Sequence, residues 1–323
     1  MTKLERIIIT KTPLTFILRK NQHWYLPGFE GVPLYDVIKF FYRQIKTVGL
    51  TERASAIAYN FIMAIPPSFL FLFTLIPQLP FFKKKEILRQ LTLIIKDIIP
   101  AEGYNKTIIT FIKETFFDTP VLSLLSFGLL LALFFASNAM MGLMRSFNKN
   151  YMGFEKRKEL HTRWIAIRLT VLIFGLVLSC LILLITQGAV LKWLKVKSDF
   201  WLGFIYYGRW VVIVVLIFYS IAFIYKYAPA VQKRWKLTSP GTILATFLSI
   251  AATVGFSAFV NNFGKYNALY GSIGTIIMLM ALIYINSLVL LIGFELNVSI
   301  KSLKLKAEHR DAEEKKNAAK LIT

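Results

Sequence analysis

Cysteine, histidine and enzyme motifs are scarce in this sequence, and each shortage argues against a class of chemistry. The one cysteine, Cys180, lies in an apolar run and cannot form a disulfide within the chain, so nothing points to an oxidising compartment. His23, His161 and His309 lie far apart in polar segments, which argues against a metal site built from His and Cys. Glycine-rich phosphate loops, nucleophile elbows and HExxH motifs are absent from the sequence. We therefore predict no enzyme, no metal and no cofactor.

Acidic residues are also few, because 17 Asp and Glu stand against 39 Lys and Arg, a formal net charge of +22. A soluble protein with this charge would suggest nucleic acid as a partner. The hydropathy argues against that interpretation, since 56% of the residues are hydrophobic and the mean hydropathy is +0.58. In membrane proteins, Lys and Arg concentrate in cytoplasmic loops and attract anionic lipid headgroups. The expected partner is a phospholipid bilayer with anionic headgroups, and no nucleic acid.

Long apolar runs dominate the chain, and six of them are long enough to cross a bilayer. A helix needs about 20 residues to span the hydrocarbon core. A lone strand in lipid would leave its backbone unpaired, and alternating period-two segments are absent, so each run is predicted as a helix. The predicted spans are residues 54–76, 120–144, 164–188, 204–225, 240–262 and 271–298. The fold class is therefore an all-α integral membrane protein with six transmembrane helices.

The distribution of basic residues predicts the orientation. With the N-terminus inside, the cytoplasmic segments hold 26 Lys and Arg, and the outer segments hold 11. This excess places both the N- and C-termini in the cytoplasm. The predicted organisation is a cytoplasmic N-terminal segment (1–53), a six-helix transmembrane domain (54–300) with an extracytoplasmic loop (77–119), and a charged cytoplasmic tail (301–323).

Three segments outside the spans have amphipathic helical patterns. Apolar residues from Leu34 to Val48 recur at helical spacing, with basic residues between them. This pattern favours a helix on the inner membrane surface, and an ordinary packed helix fits it equally well. Residues 87–99 and 106–117 predict two short amphipathic helices in the outer loop, with Pro100 between them.

Small residues and prolines mark two of the spans. The fifth span carries Gly241 and Ala245 at the start of a row of small residues four apart, which lets another helix approach closely. Plain packing explains such a row, and the wall of a cavity is the functional alternative. In the first span, Pro66 and Pro67 remove backbone donors and predict a helix broken near its middle, a feature often found at transport sites.

Three asparagines lie at a similar predicted depth within the spans. At about 1.5 Å per residue, Asn60, Asn138 and Asn286 are roughly 10–14 Å from the inner boundary. An amide in hydrocarbon needs a partner. We expect the three helices to turn these amides inward, where they either form hydrogen bonds between helices or line a polar cavity open to the cytoplasm.

Glu295 is the only acidic residue inside a predicted span. Arg53, Arg145 and Lys301 lie at similar depth and are its candidate partners. A structural ion pair and a proton-coupling carboxylate are both compatible with this position. The candidate cavity consists of Asn60, Asn138, Asn286, Glu295 and Arg145.

Short motifs at the ends of the spans carry a family resemblance. The most specific are Tyr270-Gly-Ser-Ile-Gly274 and Gly293-Phe-Glu-Leu-Asn297, which bracket the last span. Together with Arg145-Ser-Phe-Asn148, they resemble the YihY/BrkB family of bacterial inner-membrane proteins over residues 34–297. Ala64 departs from the family, which often has a serine there, and this weakens any role for a hydroxyl. The candidate structural residues that the resemblance implies are Tyr59, Pro67, Pro229, Pro240, Gly241, Tyr270, Gly271, Ser272, Gly274 and Gly293.

The resemblance implies a multi-pass protein of the bacterial cytoplasmic (inner) membrane without a settled activity. Members have carried the name ribonuclease BN, generally regarded as a misassignment, and others are linked to solute export or lipid handling. The first hypothesis is a transporter or lipid-handling protein that exports or flips a small solute or lipid through a polar cavity. A scaffold that recruits partners through its charged tail is the alternative. A ribonuclease is disfavoured, because the acids that would hold a metal are scattered.

Overall fold

The structure is a computed structural model. It describes residues 24–47, 49–75, 88–93, 95, 109–110, 113–114, 122–148, 151, 153–155, 157–193, 199–232, 234–262 and 264–322. The two short helices predicted in the outer loop fall largely outside these residues.

Long helices account for nearly all of the described chain. They are α1 (Leu34–Thr47), α2 (Leu50–Leu75), α3 (Leu122–Phe147), α4 (Glu159–Trp193), α5 (Asp199–Tyr227), α6 (Pro240–Asn262) and α7 (Gly264–Ile322). Among the described residues, β-pairing is limited to one bridge between Phe154 and Val231. The all-α fold class predicted from the sequence is confirmed.

Five of these helices are long and apolar enough to cross a membrane, judged by length and composition. The stretches are Phe127–Phe147, Glu159–Leu183, Trp210–Tyr227, Pro240–Val260 and Ile276–Lys315. They lie in α3 to α7, where five of the predicted spans fall. Helix α2 contains most of the first predicted span but is not among the five, so the count of six spans stays a prediction. The cytoplasmic location of both termini also stays a prediction.

Helix α2 continues through the double proline. Pro66 and Pro67 both lie inside the helix, which runs from Leu50 to Leu75. The prediction of a broken helix is therefore wrong. Each proline removes one backbone donor, and this leaves the carbonyl groups one turn earlier without that partner. The chain stays helical on both sides, and the Ser68 hydroxyl donates to the carbonyl of Ala64 at 2.7 Å.

The helices pack in a sequence of neighbours, with α2 against α3 and α6 against α7 as the most extensive pairs. Helix α7 also packs on α2, so the two pairs form one bundle. Aromatic rings fill its centre, where Phe147 of α3 stacks on Phe294 of α7 with ring centroids 4.1 Å apart. Because the buried residues come from the start of α2, the end of α3, the start of α4 and the end of α5, the core of the described residues lies at one end of the bundle.

Helix α1 packs across the second half of α7. Val37 is fully buried and forms a small apolar cluster with Phe29, Val32 and Ile300. The opposite face of α1 stays exposed, with Tyr42 at 49%. One side of α1 therefore packs on α7, as the second sequence interpretation allowed, and Tyr42 lies on the exposed side, where Lys46 contacts its ring.

Helices α6 and α7 cross at two glycines. A β-carbon on Gly241 would clash with the carbonyl oxygen of Gly293, and one on Gly293 would lie 2.6 Å from the carbonyl oxygen of Gly241. Ser239 and Pro240 begin α6, and proline at the first helical position needs no donor. The side chain of Asn297 then fastens this end, because its Oδ1 accepts from the Gly241 amide at 2.8 Å.

Candidate functional site

A cavity of about 590 Å³ opens between the start of α2, the end of α3 and the start of α4. Seven of its ten lining residues are polar or charged, although the three helices are otherwise largely apolar. The lining residues are Glu52, Arg53, Ala56, Asn60, Asn138, Met141, Gly142, Arg145, Ser146 and Arg163. Glu52, Ala56 and Arg145 are exposed, which places the mouth of the cavity at the beginning of α2 and the end of α3.

Close contact between α2 and α3 fixes one wall of the cavity. The amide nitrogen of Asn60 donates to the carbonyl of Ala56 in its own helix at 2.7 Å. A β-carbon on Gly142 would lie 2.6 Å from that amide nitrogen, so only glycine leaves room for the asparagine. The opposite wall is fixed by a hydrogen bond from Arg163 of α4 to Oδ1 of Asn138. The guanidinium of Arg163 also lies 5.6 Å from the ring centre of Phe134.

A buried ion pair between Arg53 and Glu295 lies at the cavity wall. Nη1 of Arg53 donates to Oε1 of Glu295 at 2.6 Å, and the side chains are only 6% and 0% exposed. Nη2 of Arg53 donates to the carbonyl of Ser146 at 2.5 Å. Of the three partners predicted for Glu295, Arg53 is therefore the one that binds it. The Arg53 side chain joins α2 to α3 and α7.

Tyr151, in the connection between α3 and α4, completes this pair. Its hydroxyl donates to Oε1 of Glu295 at 2.7 Å and lies 3.4 Å from Nη1 of Arg53. Burial, and then the negative charge of Glu295, raises the pKa of Tyr151 above its usual range. The hydroxyl therefore remains a protonated donor, and Glu295 receives both hydrogen bonds at the same oxygen.

The connection between α3 and α4 contacts the connection between α5 and α6 through hydrogen bonds. Arg157 donates to the backbone carbonyls of Tyr227, the last residue of α5, and of Ala228 and Pro229, which follow it. The Asn148 side chain accepts from the Ala230 amide at 2.9 Å. Burial and the neighbouring charge of Arg234 lower the pKa of Arg157. These contacts join Asn148, which ends the Arg145–Asn148 motif, to the segment that follows α5.

The structure separates the five residues predicted as one cavity. Asn60, Asn138 and Arg145 line it together. Asn286 does not, because its amide donates to the Leu282 carbonyl at 3.1 Å and lies 3.5 Å from the Thr253 hydroxyl, between α7 and α6. Glu295 does not line it either, since the side chain is fully buried behind Arg53. Asn286 and Glu295 therefore do not line this cavity, and a role for them in a site stays a prediction.

Glu52, Arg53 and Arg163 line the cavity but are not among the cavity residues predicted from the sequence. Arg163 lies one residue before the third predicted span and was counted only as a loop charge. A basic residue at the edge of a span, level with an asparagine on the preceding span, is the signal that could have found it.

The residues carried over from the resemblance have mixed positions. Gly241 and Gly293 form the helix crossing, and Pro240 opens α6. Pro229 is buried at the end of α5, Pro67 lies inside α2, and Tyr59 is 60% exposed on α2. Residues Tyr270, Gly271, Ser272 and Gly274 lie within the helical backbone of α7.

The described residues bring together no group of three or more His, Cys, Asp or Glu side chains that could hold a metal ion. Within the same part of the chain, the chemistry of the site is therefore that of arginine and amide donors around a cavity. Such a wall can bind oxygen-rich ligands through hydrogen bonds and charge.

Comparison with known proteins places the chain in a family. Residues 41–319 match the family model described as virulence factor BrkB. The chain is 29% identical over 256 residues to the ribonuclease-like protein YfkH of Bacillus subtilis (strain 168), covering 78% of this chain and 90% of that protein. It is 23% identical over 309 residues to a UPF0761 membrane protein of Tolumonas auensis, covering 92% and 96%. No solved structure matches it. The chain is a multi-pass membrane protein and belongs to the virulence factor BrkB family.

Proposed function

We propose that this protein is a transporter or lipid-handling protein of the bacterial inner membrane, and that its site is the cavity between α2, α3 and α4. The observation that carries the proposal is a wall of arginines and asparagines within helices that are otherwise apolar. Charged and polar side chains within membrane helices carry a cost in free energy, and they usually mark a substrate or ion pathway.

The size of the cavity suits a small ligand. Sites for small molecules commonly have volumes of roughly 300–1,000 Å³. The volume of about 590 Å³ lies within this range and has room for a small solute or for the headgroup of a lipid. The mouth lies at the end of the bundle that is predicted, from the distribution of basic residues, to face the cytoplasm. Loading from the cytoplasm, followed by export or flipping, is the direction that this placement favours.

The proposal is tested by reconstituting the purified protein into liposomes. One arm follows the dithionite-accessible fraction of fluorescent phospholipids, and the other follows the release of a panel of labelled solutes. We expect the protein to accelerate at least one arm over protein-free liposomes. Equal rates with and without protein in both arms would contradict the proposal.

Two asparagine variants make the test specific to the cavity. Asn138→Ala removes an amide from the cavity wall and should slow the active arm. Asn286→Ala is the matched control, because its amide lies between α6 and α7 and not in the cavity. Equal loss of rate in both variants would assign the effect to stability and not to the site.

A second candidate function is that of a scaffold that recruits partners through the end of α7. This helix continues to Ile322, and side chains from Ala307 to Lys315 are exposed. Deletion of the tail is the test. Unchanged co-purifying proteins and an unchanged phenotype would remove this candidate, whereas loss of a defined partner would support it.

A further inference from the structure

The cavity holds more positive than negative charge. Among the described residues that line it, Arg53, Arg145 and Arg163 are basic and Glu52 is acidic. Glu295 neutralises Arg53 from behind. Counting these three guanidinium groups against the two carboxylates leaves one net positive charge at the cavity.

Two of the arginines have no carboxylate partner in the part of the chain that the structure describes. The contacts of Arg163 are the amide oxygen of Asn138 and the ring of Phe134, both uncharged. Arg145 is exposed at the mouth and forms no ion pair with any residue that the structure describes. A guanidinium beside a low-dielectric wall favours a counter-charge. The cavity is therefore suited to an anion at these two side chains.

A buried donor adds an independent indication. Nε of Arg53 is buried without a hydrogen-bond acceptor among the described residues, although the side chain is only 6% exposed and lines the cavity. Buried donors are normally paired, and an unpaired one is unfavourable. An oxygen atom of a ligand seated in the cavity would supply an acceptor at this wall.

We propose that the cavity binds an oxyanion of the phosphate class, held mainly by Arg145 and Arg163. A guanidinium group offers two parallel N–H donors that match two phosphate or carboxylate oxygens. Arg145 and Arg163, together with Nε of Arg53, provide more donors than a single carboxylate can accept, which favours phosphate. This inference rests on the proposed function and names the ligand class of the same site. The phosphate can belong to a soluble phosphorylated solute or to a lipid headgroup.

The test is calorimetric binding to the full-length protein in an uncharged detergent. The soluble probe is glycerol 3-phosphate, with glycerol as its uncharged counterpart. The lipid probe is dihexanoyl phosphatidylglycerol, with dihexanoylglycerol as its counterpart. We expect at least one phosphate probe to bind at least tenfold more tightly than its counterpart. The probe that binds identifies the source, soluble or lipid.

Variants tie the binding to the two arginines. Arg145→Gln and Arg163→Gln should each weaken binding by roughly tenfold to a hundredfold, because each loses a charge-assisted pair of hydrogen bonds. Arg168→Gln is the matched control, since Arg168 is exposed on the same helix as Arg163 but does not line the cavity. Arg145→Lys keeps the charge and should retain part of the affinity.

The outcomes separate this inference from the proposed function. Equal binding of phosphate and uncharged probes, or unchanged binding by both glutamine variants, would overturn the inference. Since Arg145 is exposed, its variant decides the question even where Arg163→Gln does not fold. Liposome transport that is indifferent to phosphate would retain the proposed function and overturn this ligand class. Arginine-dependent phosphate binding without any transport would retain this ligand class and overturn the proposed function.

Discussion

The buried pair of Arg53 and Glu295 makes the most demanding prediction about stability. Its closest atoms are 2.6 Å apart, and both side chains are almost completely removed from solvent. At an effective dielectric constant of about 20 and a charge separation of about 4 Å, the attraction is about 4 kcal/mol. Removing one partner of a buried pair typically costs 3–5 kcal/mol, because the other charge stays buried and uncompensated. We expect Glu295→Gln to lower the free energy of unfolding by about 3–5 kcal/mol.

A double-mutant cycle isolates the pair from other effects. Arg53→Gln alone should cost a similar amount, since it leaves the Glu295 charge buried. The double variant leaves neither charge, so its loss should be smaller than the sum of the single losses. We expect a coupling energy of about 3 kcal/mol or more, a size reached by residues in direct contact.

Unfolding is measured by titrating a denaturing detergent against the protein in mild micelles and following helix content by circular dichroism. The matched control is Glu30→Gln, because Glu30 pairs with Lys304 at 3.0 Å while the two side chains are 38% and 31% exposed. A pair this exposed should contribute at most about 1 kcal/mol. A coupling energy near zero, or equal losses for Glu295→Gln and Glu30→Gln, would refute the reasoning.

Three other substitutions test separate contacts, each by the same unfolding measurement. Gly293→Ala should destabilise the protein by about 1–3 kcal/mol, because the new methyl group would meet α6 at the glycine crossing. The control Gly255→Ala places its methyl group in open space and should not destabilise the protein. Equal losses of stability in the two variants would contradict the role of the crossing. Tyr151→Phe should cost about 1–2 kcal/mol through the lost bond to Glu295, and no loss would contradict that bond's role. Arg157→Gln should destabilise by more than 1 kcal/mol, whereas an unchanged midpoint would show that the carbonyls ending α5 need no such donor.

Hydropathy predicted the helices well, because the length of an apolar run is a local property of the chain. The run at 240–262 coincides with α6, and the runs at 164–188 and 204–225 lie inside α4 and α5. The double proline was misread, because a helix in a packed bundle can continue through residues that would end it in isolation.

The side-chain partners were predicted less well, because depth along a helix does not give rotation about its axis. Asn286 has the depth of the other two asparagines but points toward α6, where Thr253 contacts it. Asn138 pairs with Arg163, which depth had not connected to it. The partner of Glu295 could be narrowed to three basic residues by depth, but the choice of Arg53 depends on contact between α2 and α7.

Arg53 belongs to both the buried core and the cavity, and this separates the roles of the three arginines. Its Nη1 and Nη2 atoms already bind Glu295 and the Ser146 carbonyl, so a ligand cannot take the whole guanidinium without leaving the carboxylate unpaired. That exchange would bury an uncompensated negative charge, which is strongly unfavourable. Arg53 therefore supplies a fixed positive charge at the cavity wall, and a ligand can approach one edge of its guanidinium group. Arg145 and Arg163 have no carboxylate partner among the described residues, so differences in affinity between ligands should arise mainly there.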